Sequence, residues 1–207
     1  MLQFFSIFIL ISTTNLQLLK YETRKDEIIQ TSAILFKKKG YSAVTMRDIA
    51  KAMGIKAASL YNHIKSKQEI LSEIIISLAV QFTDEMKIIK NSDESSINKL
   101  KQIVALHVNI TSNHPFGMAS LNSDWMHLEN ELEYYLKLRR NYENDFRSII
   151  ELGIKEKELK DGNSEVMLFS MLSTLRSLYI WLPKKEDLDV QNFTNELSLV
   201  LINGINK

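Results

Sequence analysis

Apolar side chains recur at helical spacing along most of this chain, and cap and stop residues punctuate them into separate segments. The first segment opens at Thr23-x-x-Asp26, a cap followed by an acid in the first turn. It carries Ile29, Ala33 and Phe36 on one face and closes in Lys37-Lys38-Lys39-Gly40, cations in the last turn and a glycine for a left-handed exit. Thr45-x-x-Asp48 repeats the opening signal for a second helix with Ile49, Ala50 and Met53 inward, stopped by Gly54. A third, short helix is predicted from about Lys56 to Ile64. A fourth opens with a capping box, Ser66-x-x-Glu69, and proceeds through Ile70, Ile74 and Leu78.

Further along, Ser95 to Asn113 reads as a helix with Leu100, Val104 and His107 or Val108 on one side. NHPFGMAS, with Pro115 and Gly117, reads as a break. A charged helical tract covers about Trp125 to Glu158, with room for one interruption, and Lys160-Asp161-Gly162-Asn163 reads as a turn. Two more helices, about 164–182 and 190–205, flank Pro183 and a charged loop. The pattern predicts an all-α protein without internal repeats. Only two prolines and six glycines in 207 residues agree with that, and 45% hydrophobic content supplies a core.

Charge changes the picture more than composition does. Lys20 to Lys67 holds eleven Lys/Arg against four Asp/Glu, a surplus of seven, while Gln68 to Lys207 holds fifteen against twenty-one, a deficit of six. A basic head on an acidic body suits a head that meets a polyanion. The absence of cysteine removes disulfides, thiolate metal sites and Cys nucleophiles, and fits a reducing compartment. Residues 1–19, MLQFFSIFILISTTNLQLL, carry no charge, and eight of the ten residues from Leu2 to Ile11 are apolar. That stretch is short for a membrane span and lacks the basic start of a signal peptide. Two readings stay open for it: a start codon assigned too far upstream, although the next methionine is Met46, or an apolar extension lying on the body.

The candidate chemistry lies in TMRDIAKAMGIKAASLYNHIKSKQEIL, residues 45–71. Two short helices joined at Gly54-Ile55 form a helix-turn-helix, whose second member projects as a recognition helix. Leu60 and Ile64, four apart, can anchor that helix, with Ala57 at the edge of their stripe. Lys56, Ser59, Asn62 and His63 share the other side. Lys56 suits a phosphate, Ser59 and Asn62 suit phosphate oxygens or base edges, and Tyr61 adds a hydroxyl beyond an apolar ring. Ala57 and Ala58 keep the leading turn thin. The start of the fourth helix, with Lys67, offers a further phosphate site.

Residues 24–71 closely resemble the DNA-binding domain of the TetR/AcrR family of transcriptional regulators. The phrases that carry the resemblance are ILFKKKGYSAVTMRDIAKAMGI, KAASLYNHIKSK and QEIL. Gly40, Tyr41, Thr45, Ile49, Ala50, Leu60, Tyr61, His63, Lys67 and Ile70 fall on the family's pattern. Ile64 departs from it where a Phe is usual. Ala57-Ala58 stand where the family often has Lys-Gly or Pro-Ala, which leaves base preference open. The resemblance implies that Thr45, Tyr61, His63 and Lys67 contact phosphates, with Arg47 among the DNA contacts, and that Lys56, Ala57, Ser59 and Asn62 lie nearest base edges. The implied architecture is an N-terminal three-helix head plus a C-terminal helical ligand-binding and dimerisation body, about nine helices in all. The divisions are 1–20 for the extension, 21–68 for the head and 69–207 for the body.

The resemblance also implies a homodimer on a palindromic operator in double-stranded DNA, released by a small apolar inducer. The segment 164–182 carries two adjacent apolar stripes, broader than a surface helix needs. The expected interface is Leu168, Leu172, Leu175 and Tyr179 with Phe193, Leu197 and Val200, and Ser170, Ser173 and Ser177 form a slim ridge that permits close approach. The expected pocket residues are Phe116, Met118, Trp125, Met126, Tyr134, Tyr135, Phe169 and Trp181. YENDFRSIIELGIKEKEL and LYIWLP are similar to members that respond to acyl-CoA-like ligands. His107, His114 and His127 match no metal-ligand spacing, so neither metal nor cofactor is expected. Asp124, Glu129, Glu131 and Glu133 read as a solvated face. H-E-x-x-H, G-x-S-x-G and glycine-rich phosphate loops are all absent, which argues against an enzyme carrying an accessory nucleic-acid head. The expected location is the cytoplasm, without stable membrane association. A membrane-attached sensor using residues 1–19 is the other alternative.

Overall fold

The computed structural model describes residues 23–185 and 187–204. The apolar extension over 1–20 therefore lies outside the described residues. Among the described residues there are nine α-helices: α1 (Arg24–Lys39), α2 (Met46–Ala52), α3 (Ala57–Tyr61), α4 (Lys67–Asn91), α5 (Ser96–Asn113), α6 (Pro115–Ser123), α7 (Leu132–Lys155), α8 (Ser164–Trp181) and α9 (Val190–Asn203). Single 3₁₀ turns at Trp125–His127 and Leu182–Lys184 precede α7 and follow α8.

The helix starts follow local side-chain chemistry. Thr23 with Asp26 and Thr45 with Asp48 each form a full capping box, so both orphan amides at each start are satisfied. At α4 the Ser66 hydroxyl accepts from the Glu69 amide as expected, but the Glu69 carboxylate takes the Lys65 N–H at 2.7 Å, one residue upstream of the expected partner. The stretch 113–120 is a correction of a different kind. The chain breaks only at His114, and Pro115 then opens α6 at its first helical position, where its missing N–H costs nothing. In α1 the fully inward residue is Ile28, with Ala33 and Phe36. Ile29 is only half-buried at the edge of the core.

The long α4 runs from the head into the body and packs along α7 and α6. On its far side α5 lies between α9 and α8. The shared core includes Ile75, Met86, Ile103, Phe146 and Leu175, all essentially without solvent contact. At the distal end of α7, Gly153 leaves room for a tight return. A Cβ there would lie 2.8 Å from both Leu159 Cδ1 and Ser96 Cβ, and its carbonyl accepts from the amides of Glu158 and Leu159.

Candidate nucleic-acid interface and ligand cleft

The helix-turn-helix is built by a specific stop. α2 ends in a Schellman arrangement, with Ile55 N donating to Ala50 O at 3.0 Å and Gly54 N to Lys51 O at 3.2 Å. Gly54 has φ +66°, a conformation that a side chain resists, so glycine is required where the chain swings into α3. α3 is shorter than its pattern predicted, five residues, and continues to Ile64 as turns closed by His63 N and Ile64 N on Leu60 O. Leu60 and Ile64 are 0% and 1% exposed, so the proposed anchors seat the helix in the head's core. Lys56, Ala58, Ser59, Tyr61, Asn62 and His63 are exposed, and Ala57 is half-buried. A thin, polar helix thus stands proud of the head.

The flanking candidates divide. Arg47 is exposed. Thr45 is also exposed, but its hydroxyl and backbone N–H both go to the Asp48 carboxylate. Lys67 is tied back: Nζ donates to Tyr41 O and to Val44 O, each at 2.9 Å, and lies 4.2 Å from the Tyr41 ring centre. Two of its three ammonium hydrogens are therefore committed to backbone, which leaves one for the phosphate expected of it. Tyr41 joins head to body. Its hydroxyl donates to Gln68 Oε1 at 2.8 Å, Gln68 Nε2 donates to His127 O at 2.9 Å, and the Tyr41 and His127 rings stack at 5.3 Å.

In the body, a narrow cleft of about 60 Å³, open to solvent at one side, lies between α4, α5, α6, α7 and α8. Phe82, Met118, Leu121, Leu138 and Leu172 give it apolar walls. Its buried polar pair is His107 and Tyr142, with Nε2 and the hydroxyl 2.8 Å apart. Burial, aided by the positive charge of Arg176, pushes His107 down to about 3, so the ring is neutral at pH 7. Burial also pushes the Tyr142 hydroxyl well above its ordinary range. Thr83, Asn122, Arg139 and Arg176 add to the polar lining, and both arginines donate to Glu143 Oε1. Burial would raise Glu143, but the hydrogen bonds from Arg176 and Arg139 outweigh it and hold the carboxyl below its usual value. A second, larger hollow of about 410 Å³ lies near the α7–α8 turn and has no such buried pair.

Of the expected pocket residues, Met118 and Tyr135 line the cleft. Trp125 stands beside it, stacked on Tyr135 at 5.9 Å with the Arg139 guanidinium 5.5 Å from its ring. Phe116 packs instead at the head–body junction beneath Lys37. Met126, Tyr134, Phe169 and Trp181 are exposed, between 42% and 72%, and do not enter the cleft. Trp181 stacks on Phe193 at 5.1 Å, on the outside of α8. The expected interface residues fare similarly. Leu168, Leu172 and Leu175 are buried in their own core, Tyr179 reaches Ser123 at 3.2 Å, and Phe193 and Leu197 are half-buried against it. Val200 alone of the seven is strongly exposed. The reason is rotational: α8 carries apolar residues on more than one side, and its exposed surface holds Val166, Phe169, Ile180 and Trp181 beside Ser170, Ser173, Thr174 and Ser177. The Ser170 and Ser177 hydroxyls donate to carbonyls of their own helix, so the slim ridge presents little unmet polarity. That His107, Arg139, Tyr142 and Arg176 meet at one cleft escaped the sequence reading, and Arg139 with Glu143, four apart, looks like an ordinary surface pair.

Residues 28–74 match the family model of bacterial regulatory proteins of the tetR family, and residues 93–205 match that of the tetracyclin repressor-like C-terminal domain. The HTH-type transcriptional repressor KstR2 of Rhodococcus jostii is 27% identical over 151 residues, 72% of this chain and 74% of that protein. KstR2 of Mycolicibacterium smegmatis is 43% identical over 53 residues, a match that spans only about a quarter of either chain (26%). The solved structure of the ketosteroid transcriptional regulator KstR2 of Mycobacterium tuberculosis superposes with a TM-score of 0.81 at 20% identity, covering 91% of this chain and 97% of that one, which speaks for the fold. With its family matched from the helix-turn-helix through most of the body, the chain belongs to the TetR family of transcriptional regulators, DNA-binding proteins rather than enzymes.

Proposed function

We propose that the protein acts in the cytoplasm as a homodimer on a palindromic operator, which a small ligand with a mostly apolar body, of the fatty-acyl kind, causes it to release. The observation that carries the DNA half is α3, held by Leu60 and Ile64 and polar and thin outward. Lys56, Ala57, Ser59 and Asn62 then lie nearest base edges. Thr45, Arg47, Tyr61 and His63 position the head on phosphates, with the remaining N–H of Lys67. A two-fold pair of heads reads half-sites roughly 34–36 Å apart, or somewhat more. The exposed stripe on α8, with Val190, Leu199 and Val200 on α9, supports pairing of these two helices with their copies. The cleft, and the likeness to a ketosteroid regulator, support a mostly apolar ligand. Such a ligand acts if its affinity differs between head spacings. Selection of bound duplex from a random pool tests the proposal. A palindromic consensus is expected, and recovery of unselected sequence rejects it.

A further inference from the structure

The cleft contains more positive charge than its apolar walls explain, and this specifies the ligand's head group. The inference rests on the ligand-responsive reading above. Arg139 and Arg176 both line the cleft, and both place an N–H on the same oxygen, Glu143 Oε1, at 3.1 and 2.7 Å. Glu143 lies outside the lining, and no Asp or Glu is part of it. One carboxylate therefore offsets two guanidinium charges, which leaves one positive charge over an apolar hollow. A guanidinium carries five N–H donors, and Arg176 places one on Glu143 among the described residues. Both arginine side chains keep about a third of their surface exposed, 33% and 31%, whereas His107 and Tyr142 are buried. The charge thus sits at the mouth and the neutral pair on the floor. His107 Nδ1 has no partner there, so the floor too has unused hydrogen-bonding capacity.

We propose that the cleft binds an apolar carboxylic acid as its monoanion. The carboxylate lies on Arg176, assisted by Arg139, and the hydrocarbon body lies against Phe82, Met118, Leu138 and Leu172. A planar fork matches a carboxylate with two parallel hydrogen bonds, a geometry that an alcohol or a thioester carbonyl does not reproduce. A coenzyme A thioester of the same acid brings several phosphates to a mouth with a single unbalanced cation.

The test uses the full chain and three probes, decanoate, decanol and decanoyl-coenzyme A, all below micellar concentrations. Binding is followed by thermal shift and by the fluorescence of Trp125, which lies beneath Arg139. Decanoate is expected to bind roughly tenfold or more tightly than decanol, the range of a charge-assisted hydrogen bond. Arg176→Gln is expected to bring decanoate to the level of decanol and to leave decanol unchanged. Arg176→Lys, which keeps the charge and loses the fork, falls between and serves if the glutamine variant folds poorly. Equal binding of acid and alcohol, unchanged decanoate affinity in Arg176→Gln, binding of the thioester alone, or binding of none of the three overturns the carboxylate assignment. The ligand-responsive reading falls separately, if no compound in a wider apolar screen alters operator affinity.

Discussion

The Lys67 ammonium lies 4.2 Å from the centre of the Tyr41 ring and donates to the carbonyl oxygen of that same residue. One side chain thus holds the entry of α4 against the turn after α1, with Val44 O as second acceptor. Lys67 is a staple of the head as well as a source of positive charge beside the recognition helix.

Replacing it therefore has two effects that separate experimentally. Lys67→Ala is expected to lower stability by about 1–3 kcal/mol, since two carbonyls lose a charged donor, and also to weaken operator binding. Lys56→Ala removes an exposed cation and is expected to leave stability intact while reducing the salt slope of DNA binding by about 1. Urea denaturation and fluorescence anisotropy across a salt series read both quantities. An unchanged midpoint for Lys67→Ala would remove the staple.

The outward stripe of α8 makes a contrast at neighbouring positions. Phe169 is 72% exposed and Leu172 5%. Phe169→Lys is expected to yield folded monomers, since it places charge on the free apolar face. Leu172→Lys buries an unpaired charge in the subunit's own core and is expected to cost about 4 kcal/mol or more. Light scattering and circular dichroism distinguish the outcomes. A Phe169→Lys protein that stays dimeric moves the interface to another surface.

The buried imidazole sets a pH dependence of stability. His107 titrates near 3 when folded, against an ordinary 6.5, so between these values the unfolded chain takes a proton that the native state refuses. Stability from this group is complete above pH 6.5 and is lost as pH falls towards 3, with a slope approaching about 1.4 kcal/mol per pH unit. His107→Phe is expected to flatten that slope between pH 6 and 4.5. His114, also lowered by burial, remains in both proteins. Identical slopes from urea titrations of the two proteins would contradict a neutral, buried His107.

The head was readable from the sequence because its signals are local. Two Thr-x-x-Asp caps, the Gly54 stop and the Leu60/Ile64 pair each act within a few residues, and each forms as its spacing implied. The body was readable only as a set of helices. Hydropathy does not tell which side of α8 turns inward when Leu168, Leu172 and Leu175 alternate with Val166, Phe169 and Ile180 around one axis. The cleft was harder still: Arg176 meets Glu143 across 33 positions, and no spacing rule anticipates that meeting. The Pro115 stretch was misread because proline opens a helix as readily as it ends one.

The link from Tyr41 through Gln68 to His127 bears on modular engineering. A chimera that transplants this head onto a sibling's body keeps Tyr41 and Gln68 but replaces the residue that answers them. Unless the graft also brings the segment around His127, the hybrid gains a reader of DNA whose attachment to its sensor has lost a stacked ring and keeps only a backbone acceptor for Gln68, and the two halves turn more freely on one another.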